Sequence, residues 1–403
     1  MKYWGKVPTL IRYGVVVCLV GVTLVACSSA TTSKAKQSSN TKSPILIGNI
    51  GQYSGINDSP FLGGNGAITA WADWTNAHGG IDGHPVKVFV ENDGGSASTA
   101  LTDVKTLINV DHVDAIVGEQ DPFAVTWSHL AQTAGIPVVG GNPADTTFFT
   151  NPDFYPDAQT TNQGYATMMK RIVTGSPKVA FIYCTESPVC SADIPYIKSA
   201  AIADGGSLAA SLPVAVTSPS FTAQCLAAKA KGANVMTIGA PAATVESVAV
   251  DCSNQSYYPT FLTPAVVVTE PVAEKLASIP HLKSVITSGD IPFFVDNTSA
   301  TKEFHKALSQ YAPSVLNIST FTENDMSTWA AGKLLAAAIK ASGSFSPSGI
   351  KKGLDSLKGV TLGGLTPPLT FHAGKATTVK CGFAYAATAT SVTLPFGETA
   401  FNC

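Results

Sequence analysis

Runs of apolar and polar residues assign most of this chain to helices and strands before its composition is considered. Over residues 66–93, GAITAWADWTNAHGGIDGHPVKVFVEND, the residues Ala67, Ala70, Trp71 and Trp74 recur at helical spacing and form one apolar face. Gly79 and Gly80 end that helix, because glycine reaches the left-handed conformation that stops one. Val86, Val88 and Val90 then share one face of a strand that ends in Glu91-Asn92-Asp93. Upstream, the apolar run 45–48 is a strand, followed by a polar, glycine-rich loop. Strand, loop, helix, strand predicts a right-handed βαβ crossover. It places Gly51-Gln52-Tyr53-Ser54-Gly55 at the carboxyl end of the first strand, where open α/β sheets bind ligands.

The alternation continues down the chain. Ala97, Ala100, Leu101, Val104, Leu107 and Ile108 make a second helical face. Strands at 115–118 and 136–139 flank a helix at 123–133, completing a βαβαβαβ series. Residues 146–161 read as a loop with Pro152 and Pro156, and 163–173 as a helix. A second series follows, with strands at 178–184, 212–216, 235–238 and 260–262 and helices at 192–204, 222–230 and 244–252. Residues 285–291 read as a strand leading back to the first series. Helices at 299–311, 326–341 and 348–357 come next, then strands at 365–371 and 381–388. The fold class expected is α/β, with two doubly wound lobes joined by three chain crossings near 160, 290 and 372. The first lobe would comprise 44–160 with 291–372, the second 161–290 with 373–403.

The run carried by Gly66, Ala70, Asn76, Gly79-Gly80-Ile81 and Gly83 resembles the first helix and turn of the type I periplasmic binding proteins, in particular the leucine/isoleucine/valine-type receptors of ABC importers. The similarity continues through Asp93, the helix from Ala97 and Ala115-Ile116-Val117-Gly118, and is specific over about the first third of the exported chain. It implies a receptor that captures a small polar solute, such as an amino acid or an amide, between lobes that close about a hinge. It also implies a membrane permease as partner, a monomer and no cofactor.

The N-terminus adds a location. Lys2, Lys6 and Arg12 precede an apolar run, 13–26, that is too short for a comfortable membrane span. It ends Leu24-Val25-Ala26-Cys27, which resembles a bacterial lipobox. The resemblance implies a leader at 1–26, lipid on Cys27 and an extracytoplasmic protein held at the membrane, with an uncleaved anchor or an ordinary signal peptide as the alternatives. Residues 28–43 are rich in Ser, Thr and Lys and read as a flexible tether, so that 27–43 lies outside both lobes. The chain has 403 residues, enough for two domains, and 25 Lys and Arg against 27 Asp and Glu. No basic stripe marks a nucleic-acid surface. Of eight cysteines, Cys184, Cys190, Cys225, Cys252, Cys381 and Cys403 remain after the leader and the lipid site. An even number in an exported protein suggests disulfides. Six allow about fifteen pairings, and neighbours in sequence pair as Cys184–Cys190, Cys225–Cys252 and Cys381–Cys403. A metal site is the rival reading, but no C-x-x-C occurs.

Candidate ligand contacts are the polar residues at strand ends. The first lobe offers Tyr53, Ser54, Glu119, Gln120, Asp121, Gly141 and Asn142, and the second Thr185, Glu186, Ala240 and Pro264, with Asp290 near the second crossing. Each alone is as readily a loop or cap residue. Tyr53 and Phe61 are stacking candidates, while Trp71, Trp74, Trp127 and Trp329 belong to the core. Receptors for aliphatic amino acids carry small hydroxyl residues where this chain has Gly118-Glu119-Gln120-Asp121 and Gly140-Gly141-Asn142. A ligand carboxylate beside Glu119 and Asp121 would be repelled unless those acids point away, so a cationic, amide or larger polar solute is expected rather than a branched-chain amino acid. Enzyme signatures are missing: there is no G-x-S-x-G, no H-E-x-x-H and no Walker A motif. A non-enzymatic receptor is therefore expected. A ligand sensor coupled to a signalling partner and a secreted hydrolase are the alternatives.

Overall fold

The computed structural model describes residues 42–56, 58–161, 163–165, 169, 175–295, 298–317, 319–388, 391–394 and 397. Cys27, the leader, most of the tether and Cys403 lie outside these residues.

Two sheets carry the architecture. The first is built from β1 (Ile45–Gly51), β2 (Val86–Asn92), β3 (Ala115–Glu119), β4 (Val138–Gly141) and β5 (Phe154–Tyr155), in the order β2-β1-β3-β4-β5 and parallel throughout. Ile47 pairs with Val88 on one side and Ala115 on the other, and Val117 pairs with Val139. Such central strands are buried on both faces, which is why their apolar runs are nearly continuous. Helix α1 (Gly64–Ala77) covers one face, and α2 (Ala97–Asn109) and α3 (Ala124–Ala134) cover the other.

The second sheet runs through β6 (Lys178–Cys184), β7 (Ser207–Val214), β8 (Val235–Gly239), β9 (Thr260–Pro264), β10 (Lys283–Ser288), β11 (Phe383–Thr388) and β12 (Ser391–Thr393). Its order is β12-β11-β10-β9-β8-β6-β7, parallel except where β11 and β12 run antiparallel. Its helices are α4 (Pro188–Ala192), α5 (Ile194–Ala203), α6 (Thr222–Ala230), α7 (Ala242–Asn254) and α8 (Glu270–Ser278). The chain then returns to the first sheet with α9 (Ser299–Tyr311), α10 (Glu323–Ser342) and α11 (Pro347–Ser356). The fold is thus α/β, with two largely parallel sheets in two lobes.

Helix α10 is the spine of the first lobe. A Cβ on Gly118 would stand 2.7 Å from Thr328 Cγ2, and one on Gly140 would meet Ala331. Both glycines also have positive φ, at +64° and +60°. Only glycine combines that turn with so close an approach of a helix.

Several expectations need correction. The strand expected at 285–291 is β10, which runs from Lys283 to Ser288 beside β9 in the second sheet, and the chain returns to the first lobe after it. The expected strand at 365–371 is a single bridge between Val360 and Leu369, because Pro367 and Pro368 lack the N–H groups a ladder needs. The loop at 146–161 contains a 3-10 turn, Thr146–Phe149, and the short β5. Strand β7 begins five residues before the expected 212, at Ser207, since Ala209, Ala210 and Ser211 dilute its alternation. Helix α8, whose buried face is Val272, Ala273 and Leu276, was not expected; the helix expected at 192–204 is α5, and the short α4 before it was not expected. The helix at 163–173 falls largely outside the described residues. Trp71, Trp127 and Trp329 are buried in the core, whereas Trp74 is half-buried and gives its indole N–H to Glu303.

Candidate functional site

A cavity of about 50 Å³ lies between the lobes, at the carboxyl ends of both sheets. The first lobe supplies Pro60 and Phe61 from the loop before α1, Asn142 and Ala144 after β4, and Asn324 from the first turn of α10. The second supplies Val189, Cys190 and Asp193 around α4, Gly239–Pro241 after β8, and Pro264, Val266 and Val267 after β9. Thr161 and Tyr165, next to the first crossing, complete it. The wall is largely apolar, with Asn142, Thr161, Tyr165, Asp193 and Asn324 as its polar residues.

Two amides in that wall each leave one atom without a protein partner. The Asn142 side-chain oxygen accepts from the Ala144 N–H at 3.1 Å, which fixes its orientation and leaves Nδ2 as a buried donor with no protein partner. Asn324 is the mirror case: Nδ2 donates to the Pro60 carbonyl at 2.7 Å, and Oδ1 is a buried acceptor with no partner. A buried polar group left unpaired costs about 1–3 kcal/mol. A solute that both accepts and donates would remove both costs.

The strand-end residues expected to meet the ligand fall into three groups. Asn142, Ala240 and Pro264 line the cavity. Tyr53, Ser54, Glu119, Gln120, Asp121 and Gly141 do not line it. The Tyr53 hydroxyl turns back to Asn49 Oδ1 at 2.6 Å, and Ser54 is exposed and accepts from Asn92. Glu119 accepts the Asp121 N–H at 2.5 Å, Gln120 donates to Thr328 at 2.9 Å, and Gly141 lies between Asp157 and Ser327. Asp121 accepts the Phe123 N–H at 2.7 Å and the Trp127 indole N–H. These acids therefore serve the inside of the first lobe, and the repulsion argument against a ligand carboxylate loses its premise. In the second lobe, Glu186 holds the loop by accepting from Val216 at 2.9 Å, and Thr185 is tied to the Val214 carbonyl.

Asp290 sits at the second crossing, fully buried, with neither carboxylate oxygen bonded. Burial first, and then Asp157 and Glu323, push its proton affinity well above the ordinary carboxylate range. Burial likewise lifts Asp157 and Glu323 to about 7. Burial, then Asp93, raises Asp121 to about 8. Glu119 is raised by burial and then by Asp145. Among the described residues, no group of His, Cys, Asp or Glu is arranged to hold a metal ion.

Two expected disulfides are present, Cys184–Cys190 and Cys225–Cys252. Cys381 is also disulfide-bonded, while its expected partner Cys403 lies outside the described residues.

The cavity residues not anticipated from sequence include Asn324, Tyr165, Pro241, Val266 and Val267. A signal for Asn324 existed. Thr322 and Asp325 form a reciprocal cap, so α10 begins at Glu323 and its first turn reaches the cleft. Starting that helix at 326 hid the residue.

Residues 44–391 match the family described as periplasmic binding protein. No curated protein sequence matches the chain. Solved structures with a similar fold include a branched-chain amino acid ABC transporter protein from Thermus thermophilus with bound valine. It has a TM-score of 0.78 at 12% identity, over 90% of this chain and 97% of that one. An ABC transporter substrate-binding protein from Aeropyrum pernix aligns with a TM-score of 0.77 at 15% identity, over 88% and 95%. A fatty acid ABC transporter substrate-binding protein from Thermomonospora curvata aligns with a TM-score of 0.70 at 15% identity, over 90% and 93%.

Proposed function

This chain belongs to the periplasmic binding protein family, and we propose that it is the extracytoplasmic solute receptor of an ABC importer. The family is one of binding proteins, typically non-catalytic. The solute enters the cavity between the lobes, and the closed form is handed to a membrane permease. A monomer carries this out, anchored by lipid on Cys27. The mass of the N-terminal peptide of the exported protein checks the anchor: an unmodified Cys27, or cleavage elsewhere, removes it.

The lobes of this proposal are 44–160 with 291–372 and 161–290 with 373–403. Contacts from both are complete only when they are closed. A solute therefore favours the closed state by its differential contact energy.

One observation carries the reading of the ligand: a largely apolar wall that holds, beside Thr161, Tyr165 and Asp193, an unpaired donor, Asn142 Nδ2, and an unpaired acceptor, Asn324 Oδ1. A carboxamide on a short branched hydrocarbon matches all three features. Its carbonyl accepts from Asn142, its amino group donates to Asn324, and its body displaces water from Phe61, Val266 and Val267. The similar structures include proteins of branched-chain amino acid and fatty acid ABC transporters, ligands whose bodies are likewise apolar. Calorimetry with isovaleramide, isovalerate, leucine and isoamylamine tests the choice. Isovaleramide is expected to bind at least tenfold tighter than the other three. Preferential binding of leucine would overturn the amide reading and leave the receptor reading intact.

A sensor passing its closed state to a signalling partner uses the same cavity and is the second reading. Co-purification with a permease, against co-purification with a signalling protein, separates the two.

A further inference from the structure

The cavity wall of the second lobe is not uniformly supported. Gly239 and Pro264 stand at the ends of ladder-bonded β8 and β9. Val189 and Cys190 instead sit on α4, a helix of five residues, too short to hold itself in place. The covalent tie of this segment to the sheet is the disulfide from Cys190 to Cys184, the last residue of β6. The intervening loop is pinned at Glu186 and Thr185.

The same segment leads into α5, whose Tyr196 meets Phe149 of the first lobe edge-on, with ring centroids 5.2 Å apart. One short stretch thus forms part of the cavity wall and carries a contact between the lobes. The other disulfide, Cys225–Cys252, joins α6 to α7, and neither of its cysteines lines the cavity.

We propose that the Cys184–Cys190 disulfide is a positioning device for solute capture: it fixes the Val189–Cys190 wall and the Tyr196–Phe149 contact to the end of β6. This rests on the cavity being the solute site. The two disulfides should then differ in kind. Opening the first loosens the site, and opening the second loosens the lobe.

The test compares the full exported chain with Cys184→Ala/Cys190→Ala and with Cys225→Ala/Cys252→Ala, using isovaleramide as the probe together with hydrogen–deuterium exchange. In the first variant, isovaleramide affinity falls at least tenfold through faster dissociation, and amides of residues 188–193 exchange at least tenfold faster. In the second, affinity stays within twofold while the thermal midpoint falls. Unchanged affinity in the first variant overturns the proposal, and so does an equal loss of affinity in both. If the unmodified chain takes no isovaleramide, the amide reading fails separately. Exchange then decides alone, and unchanged protection at 188–193 overturns the positioning role.

Discussion

At the scale of single residues, the site depends on two amides whose orientations are set by their other hydrogen bonds. Asn142→Asp keeps the acceptor for Ala144 and replaces the donor that the solute needs. One lost hydrogen bond in a dry site is worth about 1–3 kcal/mol. Isovaleramide affinity should therefore fall roughly ten- to a hundredfold by calorimetry, with the fold retained. Asp290 presents the opposite situation. It has no bond to lose, and it is raised by burial and by repulsion from Asp157 and Glu323. Asp290→Asn should raise the thermal midpoint more at pH 8 than at pH 4, because the folded carboxyl, raised by burial and its neighbours, keeps a proton that the unfolded one releases. A lower midpoint at pH 8 would contradict this.

At the scale of elements, α10 connects core and site. Its reciprocal cap at Thr322 and Asp325 fixes the turn that carries Asn324, and Thr322 also donates its hydroxyl to the Pro60 carbonyl. Thr322→Ala should cost about 1 kcal/mol of stability in chemical denaturation. It should also weaken solute binding, because Pro60 and Asn324 both line the cavity. This element shows how far the sequence could be read. The apolar face with Leu334, Leu335 and Ala338 announced the helix. Its functional end did not show, because a polar first turn carries no apolar periodicity. The prolines at 367 and 368 spoiled a strand that the apolar pattern had suggested.

At the scale of the whole molecule, three crossings meet at Gln159. Its N–H points to the Gly289 carbonyl at 3.5 Å, and its side chain donates to the Lys380 carbonyl at 2.8 Å. Gln159→Ala removes the second tie without touching the cavity. It is expected to broaden the spread of dimensions seen by small-angle scattering and to lower solute affinity. An unchanged profile and affinity would deny Gln159 a hinge role. Global stability should also depend on pH. Asp157 and Glu323 rise to about 7 from ordinary values of 3.8 and 4.5, and Asp325 to about 8. Folded carboxyls with raised values hold protons that the unfolded chain has released. Stability is therefore full below about pH 4 as far as these groups are concerned, and falls as pH rises through 7 to 8. The thermal midpoint at pH 5.5 should exceed that at pH 8.5.

The sequence alone determined the two α/β series, the buried tryptophans at 71, 127 and 329, and the pairing of the first four disulfide cysteines. Each is written in local spacing, because periodicity reports which face an element buries and short cysteine separations limit partners. The tertiary structure decided which strand-end residues face the cleft. Glu119, Gln120 and Asp121 occupy the expected loop, yet their side chains bond the interior of the first lobe, while Asn324 comes from a helix about 200 residues further on. Side-chain direction at a strand end depends on what packs beneath it. Here that is α10, whose close approach past Gly118 and Gly140 no pattern within the first lobe's own strands could reveal.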